Sequence, residues 1–380
     1  METKKYRFDE VTINFDKKRI PLSSAQREKR QGTFRYYGAQ GVIDHVDDYI
    51  FDGTYLLIAE DGENLKSKKQ NIAQVVDGQF WVNNHAHIVQ GNEQCDTRFL
   101  CYLINSMDLS GYVTGSAQPK LSQANLNAVT LSLPTLAEQK RIVEYLYMLD
   151  QKIDVNRQIN DNLEQQAQSY FQELFVDNAS PEWTTGTISD LGTVVGGSTP
   201  SKAKPEYYTE SGIAWITPKD LSNNKSKFVS HGENDITELG LRNSSASIMP
   251  EGTVLFSSRA PIGYIAIAAG EVTTNQGFKS VVPKPEIGTP FVYFFLKNTL
   301  PVIEGMASGS TFKEVSGSTM KNVPAVIPDA ETLAKFSDFC APIFAQQRIL
   351  EEQNQSLATL RDNLLPKLMS GEIDVSAVQL

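Results

Sequence analysis

Cysteine, histidine and tryptophan are scarce in this 380-residue chain, at three, four and three residues. Cys95, Cys101 and Cys340 are too few and too scattered for a disulfide framework or a paired Cys-x-x-Cys metal site, and they suit a reducing compartment. Four histidines without a nucleophile–base constellation leave little material for catalysis by this chain alone. Long apolar runs are missing too. Stretches such as Tyr264–Ala269 fall far short of the ~20 residues of a membrane span. The opening METKKYRFDE lacks the apolar core of a secretory signal. The expectation is a cytoplasmic chain with no membrane segment.

Cofactor motifs are absent as well. Val195-Gly-Gly-Ser-Thr-Pro200 lacks the lysine of a phosphate loop, and no Gly-x-Gly-x-x-Gly follows a strand. The Asn-Pro-Pro-Tyr or Asp-Pro-Pro-Tyr run of amino-methyltransferases does not occur. Pro328-Asp329 with Glu331 and Lys335 has the wrong spacing for a nuclease carboxylate cluster and reads as a helix cap. His85 and His87, two apart, would share one face of a strand. Without paired cysteines they are expected to be a hydrogen-bonded, partly buried pair, and no metal or cofactor is expected in this chain.

The net charge of −10 is unevenly spread. Residues 136–180 carry −4 and residues 331–380 carry −3, whereas residues 1–135 and 181–330 carry only −1 and −2. Residues 1–35 are locally +5. A polyanionic partner is therefore compatible with the overall acidity, because a binding footprint is local.

An internal repeat organises the chain. Gly115-Ser-Ala-Gln-Pro-Lys-Leu121 returns as Gly309-Ser-Thr-Phe-Lys-Glu-Val315, at an offset that also pairs Val129 with Val323 and Pro134 with Pro328. Farther upstream, Asn84-His-Ala matches Asn275-Gln-Gly, and Gly53-Thr-Tyr-Leu matches Gly252-Thr-Val-Leu. Each half reads as a mixed α/β globular part, then a proline, then a long helix. Runs at Tyr55–Ala59, Thr253–Phe256, Tyr264–Ala268 and Ser280–Val282 predict strands, and Phe99–Asn105 and Pro290–Thr299 predict short helices. The boundaries expected are 1–134, 135–178, 179–328 and 329–380.

Thr135-Leu-Ala-Glu138 is a capping box opening the first long helix. Its seam follows a 4-3 alternation through Ile142, Leu146, Leu149, Ile153, Asn156, Asn160, Leu163, Ala167, Tyr170 and Leu174. The second runs Leu333, Phe336, Cys340, Ile343, Gln347, Leu350, Asn354, Leu357, Arg361, Leu364 and Leu368, with Asp329 as cap and a kink or break expected at Pro342. Asn160 and Asn354 share a repeat position, either as register-selecting seam residues or as solvated ones.

What remains is binding chemistry. Arg27, Lys29, Arg30, Arg35 and Tyr37 interleave basic and aromatic groups, and Lys202 and Lys204 stand beside Tyr207 and Tyr208. Thr217, Lys219, Ser257 and Arg259 lie on polar loops at strand ends, and Lys120 and Lys313 fall in the repeated Gly-Ser segments. Arginine can pair bidentately with guanine, while lysine, serine and threonine can hold phosphates.

Several stretches resemble the specificity subunit (HsdS) of type I restriction–modification systems. They are Asp52-Gly-Thr-Tyr-Leu-Leu-Ile-Ala-Glu-Asp-Gly62, the Gly115–Leu121 segment, Leu133-Pro-Thr-Leu-Ala-Glu-Gln-Lys-Arg-Ile142, Gly196-Gly-Ser-Thr-Pro200 and Leu360-Arg-Asp-Asn-Leu-Leu-Pro-Lys-Leu-Met-Ser-Gly-Glu-Ile373. Pro328-Asp-Ala-Glu-Thr departs from the expected Leu-x-Glu-Gln. The resemblance implies two target recognition domains, related by a pseudo-twofold repeat and separated by two antiparallel helices forming a coiled coil. Each domain would read one half of a bipartite, asymmetric double-stranded DNA site. It also implies two modification subunits bearing S-adenosylmethionine, and restriction subunits using ATP and Mg for translocation and cleavage. This chain would then be non-catalytic. A self-contained DNA modification or cleavage enzyme, and a coiled-coil adaptor that binds no DNA, are the alternatives.

Overall fold

Apolar runs cut by glycine, proline and asparagine become strands here, and they assemble into two separate units. The structure is a computed structural model that describes residues 2–67, 70–115, 118–309 and 313–373. Unit one takes in the described residues up to Ile153 and from Ser356 onward; unit two is Asp154–Gln355.

Unit one runs β1 (Lys4–Arg7), β2 (Thr12–Asn14), α1 (Ser24–Glu28), β3 (Gln31–Gly38), β4 (Gly41–Val46), β5 (Phe51–Asp52), β6 (Tyr55–Ala59), α2 (Asn64–Ser67), β7 (Ala73–Val76), β8 (Gln79–Val82) and β9 (Ala86–Gly91). Then come α3 (Thr97–Ser106), α4 (Gln123–Asn127), β10 (Thr130–Leu133) and the long α5 (Leu136–Gln172), which continues into unit two. One sheet has the order β2-β9-β6-β7 and is antiparallel throughout. A second, β4-β3-β8-β5, pairs β3 with β8 in parallel, and β1 and β10 form a separate ribbon.

Unit two continues with β11 (Thr184–Thr187), α6 (Ile188–Leu191), β12 (Gly192–Gly196), β13 (Tyr208–Thr209), β14 (Ile213–Ile216), α7 (Pro218–Asn223), β15 (Phe228–Val229), β16 (Asn234–Ile236) and α8 (Glu238–Arg242). It ends with β17 (Val254–Ser258), β18 (Ile262–Ala268), β19 (Thr273–Thr274), β20 (Lys279–Pro283), α9 (Thr289–Met306), α10 (Gly317–Lys321), β21 (Pro324–Ile327) and α11 (Ala330–Ser370), whose last turns belong to unit one.

The repeat seen as scattered motifs is a repeat of topology. The order β12-β20-β17-β18 reproduces β2-β9-β6-β7, with β15 added at the edge. The triplet β16-β14-β19, antiparallel then parallel, reproduces β4-β3-β8, and the ribbon β11-β21 reproduces β1-β10.

Each unit closes its core on the long helices. Phe99, Leu100, Leu103 and Ile104 of α3 pack with Ile142, Val143 and Leu146 of α5 and Leu368 of α11. In unit two, Phe291, Phe294 and Phe295 of α9 pack with Ala167 and Phe171 of α5 and Phe336, Cys340, Ile343 and Phe344 of α11. Among the seam positions, Ile142, Leu146, Ile153 and Leu350 are buried, and Leu149, Asn160, Leu163, Asn354, Leu357 and Leu364 are half-buried. The helices run antiparallel within unit two: Asn156 meets Asn354, Asn160 meets Gln347, and the Tyr170 ring lies 4.5 Å from that of Phe339.

The helix starts follow local chemistry. Thr135 N–H donates to Glu138 Oε2 at 2.9 Å, and Glu138 N–H returns to Thr135 Oγ1 at 3.4 Å. Asp329 accepts from Thr332 N–H at 2.9 Å, so α11 keeps an acidic cap despite its divergent opening. The expected break at Pro342 does not occur, since α11 runs unbroken from Ala330 to Ser370. Pro342 and Asp338, whose carbonyl loses its donor, both lie on the exposed face, where the carbonyl is open to solvent, while Cys340, Ile343 and Phe344 anchor the other face. Pro301 is tolerated on the exposed side of α9, which is longer than its apolar run suggests. No helix among the described residues is long and apolar enough to cross a membrane.

Of the two readings of the seam asparagines, the contacts support seam residues: Asn160 and Asn354 are half-buried and each meets the opposite helix. Asn156, fully buried, donates to Asn354 Oδ1 at 2.9 Å, while Asn160 Nδ2 lies 3.4 Å from the Gln347 carbonyl. The buried Oδ1 of Asn156 has no partner, a cost of ~1–3 kcal/mol. Replacing Asn156 and Asn354 together by leucine should raise the thermal midpoint by ~2–6 °C, more than either change alone, because each single change strands the other amide. Thermal denaturation of the three variants checks this.

Candidate nucleic-acid interface

The arginines named in the first domain are mostly committed to the protein itself. Ser23 caps α1, which carries Arg27 toward β4, where its Nε lies 2.7 Å from Asp44 Oδ2. That guanidinium holds the Asp44 carboxyl below the usual carboxylate range. Arg30 pairs with Asp47 at 2.8 Å and lies over the Trp81 ring, and Arg35 donates to the Asp77 carbonyl at 2.8 Å. Lys29 is exposed. Tyr37 is buried against Phe80 in the core, so it offers no ring to a base. The local excess of basic residues is thus partly offset by Asp44 and Asp47, each 17 positions along the chain from its arginine.

The residues flanking the two Gly-Ser segments are bridged at equivalent places. Thr114 and Lys120 exchange backbone hydrogen bonds across the first, as Ser308 and Glu314 do across the second. Positions 116–117 and 310–312 lie outside the described residues. Each loop returns beside the end of a central strand: Leu121 N–H donates to the Glu60 carbonyl, and Val315 N–H to that of Ser258. Lys120 then pairs with Glu60 at 3.2 Å, and Glu314 with Arg259 at 3.3 Å. Corresponding positions hold the same ion pair with its polarity reversed. Lys279 adds a second cation 3.8 Å from Glu314. Lys313 is exposed beside it.

Beneath the first loop sits a buried polar network. His87 Nδ1 is 2.6 Å from Asp16 Oδ2, and its Nε2 is 2.8 Å from the Leu121 carbonyl. Both partners are acceptors, so only the imidazolium satisfies both. Burial lowers the His87 affinity for its proton, but Asp16, the Leu121 carbonyl and Glu60 together outweigh it and leave the group raised. Asp16 also takes Ile88 N–H, and Arg19 joins Glu60 at 3.0 Å. His85, by contrast, precedes β9, is exposed, and contacts Asp61 at 2.8 Å. The two histidines therefore do not form a pair, because the strand begins only at Ala86. No group of His, Cys, Asp and Glu among the described residues is arranged to hold a metal ion. The three thiols are unpaired, and burial pushes each up to about 12.

In the second domain, Lys202 is exposed and Lys204 donates to the Tyr207 hydroxyl at 3.1 Å. The loop carrying Lys202 is strapped to β14 and β19: Trp215 Nε1 donates to the Ser198 carbonyl, and Ser198 N–H to that of Thr274. A Cβ on Gly197 would lie 2.0 Å from the Asn275 carbonyl oxygen, which explains the glycine. Thr217 is the cap of α7, in a reciprocal box with Asp220, and Lys219 pairs with Glu233. Ser257 is fully buried, donating to the Pro261 carbonyl and accepting from Tyr264 N–H, so it does not face a ligand. Of the named groups, Lys29, Arg35, Lys120, Lys202, Lys204, Lys219 and Lys313 are exposed, Arg27, Arg30, Thr217 and Arg259 are half-buried, and only Tyr37 and Ser257 are enclosed in the core. Glu60, Glu314 and Asp16 were missed, since no local pattern links them to Arg19, Arg259 and His87, which lie 41, 55 and 71 positions away.

Both halves of the chain match one family, described as the type I restriction modification DNA specificity domain, over residues 2–165 and again over residues 181–360. The chain belongs to that family. It is 39% identical over 191 residues to the MjaIX specificity subunit of Methanocaldococcus jannaschii, an alignment covering 48% of this chain and 44% of that one. With the HindI specificity subunit of Haemophilus influenzae it shares 24% identity, covering 85% of this chain and 84% of the relative. A solved type I S subunit from M. genitalium has the same fold, at TM-score 0.60 and 16% identity, over 97% of this chain and 96% of that structure.

In the first specificity domain the His87 network generates a pH dependence. Folding raises the His87 pKa, so its contribution is complete below about pH 6.5 and is lost as pH climbs through the raised value. Asp16, held below its ordinary range, acts in reverse. Burial raises it, but His87 and the Ile88 amide prevail, so that contribution is lost only as pH falls below ~4. Denaturant unfolding from pH 5 to 9 should show stability falling on the alkaline side. In His87→Leu the alkaline decline should disappear, leaving the opposite upward trend that the depressed Lys227 contributes above about pH 8, with ~3–5 kcal/mol lost near pH 6 because Asp16 is stranded.

Proposed function

We propose that this chain recognises a bipartite, asymmetric double-stranded DNA site as the specificity subunit of a type I restriction–modification complex. Each domain reads one half-site, and the helices set the unread gap. The observation that carries this reading is the tandem topology: two specificity domains with the same strand order, different loops, and a long helix after each. Methylation belongs to two modification subunits carrying S-adenosylmethionine, and ATP- and Mg-dependent cleavage to restriction subunits. This chain, working in the cytoplasm, supplies no catalytic group. Val155, Ile159, Phe339 and Ile349 expose apolar surface on the acidic helices, which suits docking of protein partners.

The reading is tested by mapping methylated sites in cells that carry the chain with its modification partner. A two-part motif with a constant gap is expected. One helical turn of four residues inserted in α5 after Ile153 and in α11 after Gln355 lengthens each helix by ~6 Å. Both half-site sequences should survive while the gap grows by one or two base pairs, each ~3.4 Å. An active variant with the original gap, or with new half-site letters, would refute the ruler.

Arg259 tests the division of labour. It projects at the base of the second loop, about one-third exposed. Arg259→Ala should weaken cognate binding by ~1–3 kcal/mol through the second half-site alone if it meets a base. An even loss across sequences, with a salt slope reduced by about one, is the outcome if it meets phosphate. Competition binding against duplexes altered in either half-site separates these outcomes, and unchanged affinity would remove Arg259 from the interface.

A further inference from the structure

Lys227 is the most enclosed cation in unit two among the described residues, at 7% exposure, and nothing in its polar run Asn223-Asn-Lys-Ser-Lys227 marks it out. It stands just before β15, the edge strand by which the second five-stranded sheet exceeds the first. Its Nζ donates to Glu164 Oε2 of α5 at 2.7 Å and to Gln347 Oε1 of α11 at 2.8 Å. The Phe344 ring centroid is 3.5 Å away and that of Tyr293 4.5 Å. The backbone is held as well. Lys227 N–H and Phe228 N–H donate to the two oxygens of Glu351 on α11, at 2.7 and 3.0 Å. The second oxygen of Glu164 takes the Tyr293 hydroxyl at 3.1 Å and Lys297 Nζ at 2.5 Å, both from α9.

A sheet edge, a domain helix and both long helices therefore converge on one ammonium. Stability alone does not call for it. Burying a charge is strongly unfavourable unless paired, and an apolar side chain of similar size in such a place is often neutral or better. What the ammonium adds is direction, since its hydrogen bonds require Glu164 and Gln347 at fixed places around it. In unit one the corresponding job falls to Asp150, which takes Tyr102 Oη at 2.5 Å and Arg361 Nη1 at 2.6 Å, with no lysine from a strand edge.

We propose that Lys227, through Glu164 and Gln347, is a positioning residue that fixes the angle of the second specificity domain on its helix pair and thereby the gap at which the complex methylates. The inference rests on the bipartite-recognition reading. It assigns Lys227 to spacing and not to the choice of bases, because the side chain is enclosed and cannot reach DNA. The groups facing it are Glu164 from α5, Tyr293 and Lys297 from α9, and Cys340, Gln347 and Glu351 from α11. Burial pushes the Lys227 ammonium down to about 8 against the pull of Glu164. Cys340 is pushed up to about 12 and Tyr293 well above its ordinary value, so neither loses its proton before Lys227.

The test uses the full chain assembled with its modification partner and a pool of duplexes. These carry the mapped half-sites at the native gap and at one base pair more or less. Wild type should prefer the native gap strongly, and the preference should decline as pH rises from 7 to 9. Lys227→Met should melt within a few degrees of wild type and keep both half-site sequences. Its ratio of native-gap to shifted-gap methylation should fall at least tenfold and no longer vary with pH. Glu164→Gln, nearly isosteric, should lower the same ratio, and the double variant should be no worse than Lys227→Met; this arm decides if Lys227→Met fails to fold. An unchanged ratio in a folded variant, whatever its melting temperature, makes Lys227 a packing residue and overturns the proposal, as would altered half-site letters. A wild-type complex with no gap preference would instead sink the bipartite reading, and this inference with it.

Discussion

Neither specificity domain closes its core without helix. Phe291, Phe294 and Phe295 meet Phe171, Phe336 and Phe344, and the first domain is sealed by Ile142, Leu146 and Leu368 against Leu100 and Ile104. At ~25 cal/mol per Å² of apolar surface, these aliphatic and aromatic contacts tie each domain firmly to its helices. The domain and its helices are thus one cooperative piece on each side. A helix that is part of a core cannot swing freely, which is the physical requirement on any spacer that is to measure distance.

Polar groups placed inside that apolar seal set geometry more than they add stability. Asn156 leaves an oxygen unpaired, and Lys227 sits among aromatic rings with its pKa depressed. Glu164 shows the balance from the acidic side: burial raises it, but two lysine ammoniums prevail and leave it below its ordinary range. Such groups tolerate few alternative packings, whereas a uniformly apolar seam would accept several.

The surfaces obey another rule. Basic residues near the strand ends are largely neutralised by acids brought from elsewhere, as in Arg27–Asp44, Arg30–Asp47, Lys120–Glu60 and Arg259–Glu314. A basic count over a sequence window therefore overstates the field that a polyanion meets. The more exposed of these pairs, Arg30–Asp47 and Arg259–Glu314, contribute little to stability, ~0–1 kcal/mol each, so exchanging one partner for a phosphate costs the fold little. At the two loop bases the same position carries the cation in one domain and the anion in the other, so the ion pair persists with either side as the cation.

Local chemistry by itself determined the repeat, both capped helix starts, the 4-3 seam and strands such as Tyr55–Ala59, since capping, periodicity and turn residues act within a few positions of one another. The family was legible for the same reason, its motifs being contiguous. Pairings between distant residues were decided only by the tertiary structure. It sent Tyr37 and Ser257 into the interior, separated His85 from His87, matched Asn156 with Asn354, and carried α11 through Pro342. It also enclosed Lys227, which no local pattern distinguishes from Lys225 two residues away. Burial and charge pairing depend on what the fold brings from dozens or hundreds of residues off, and a linear sequence carries no local trace of that.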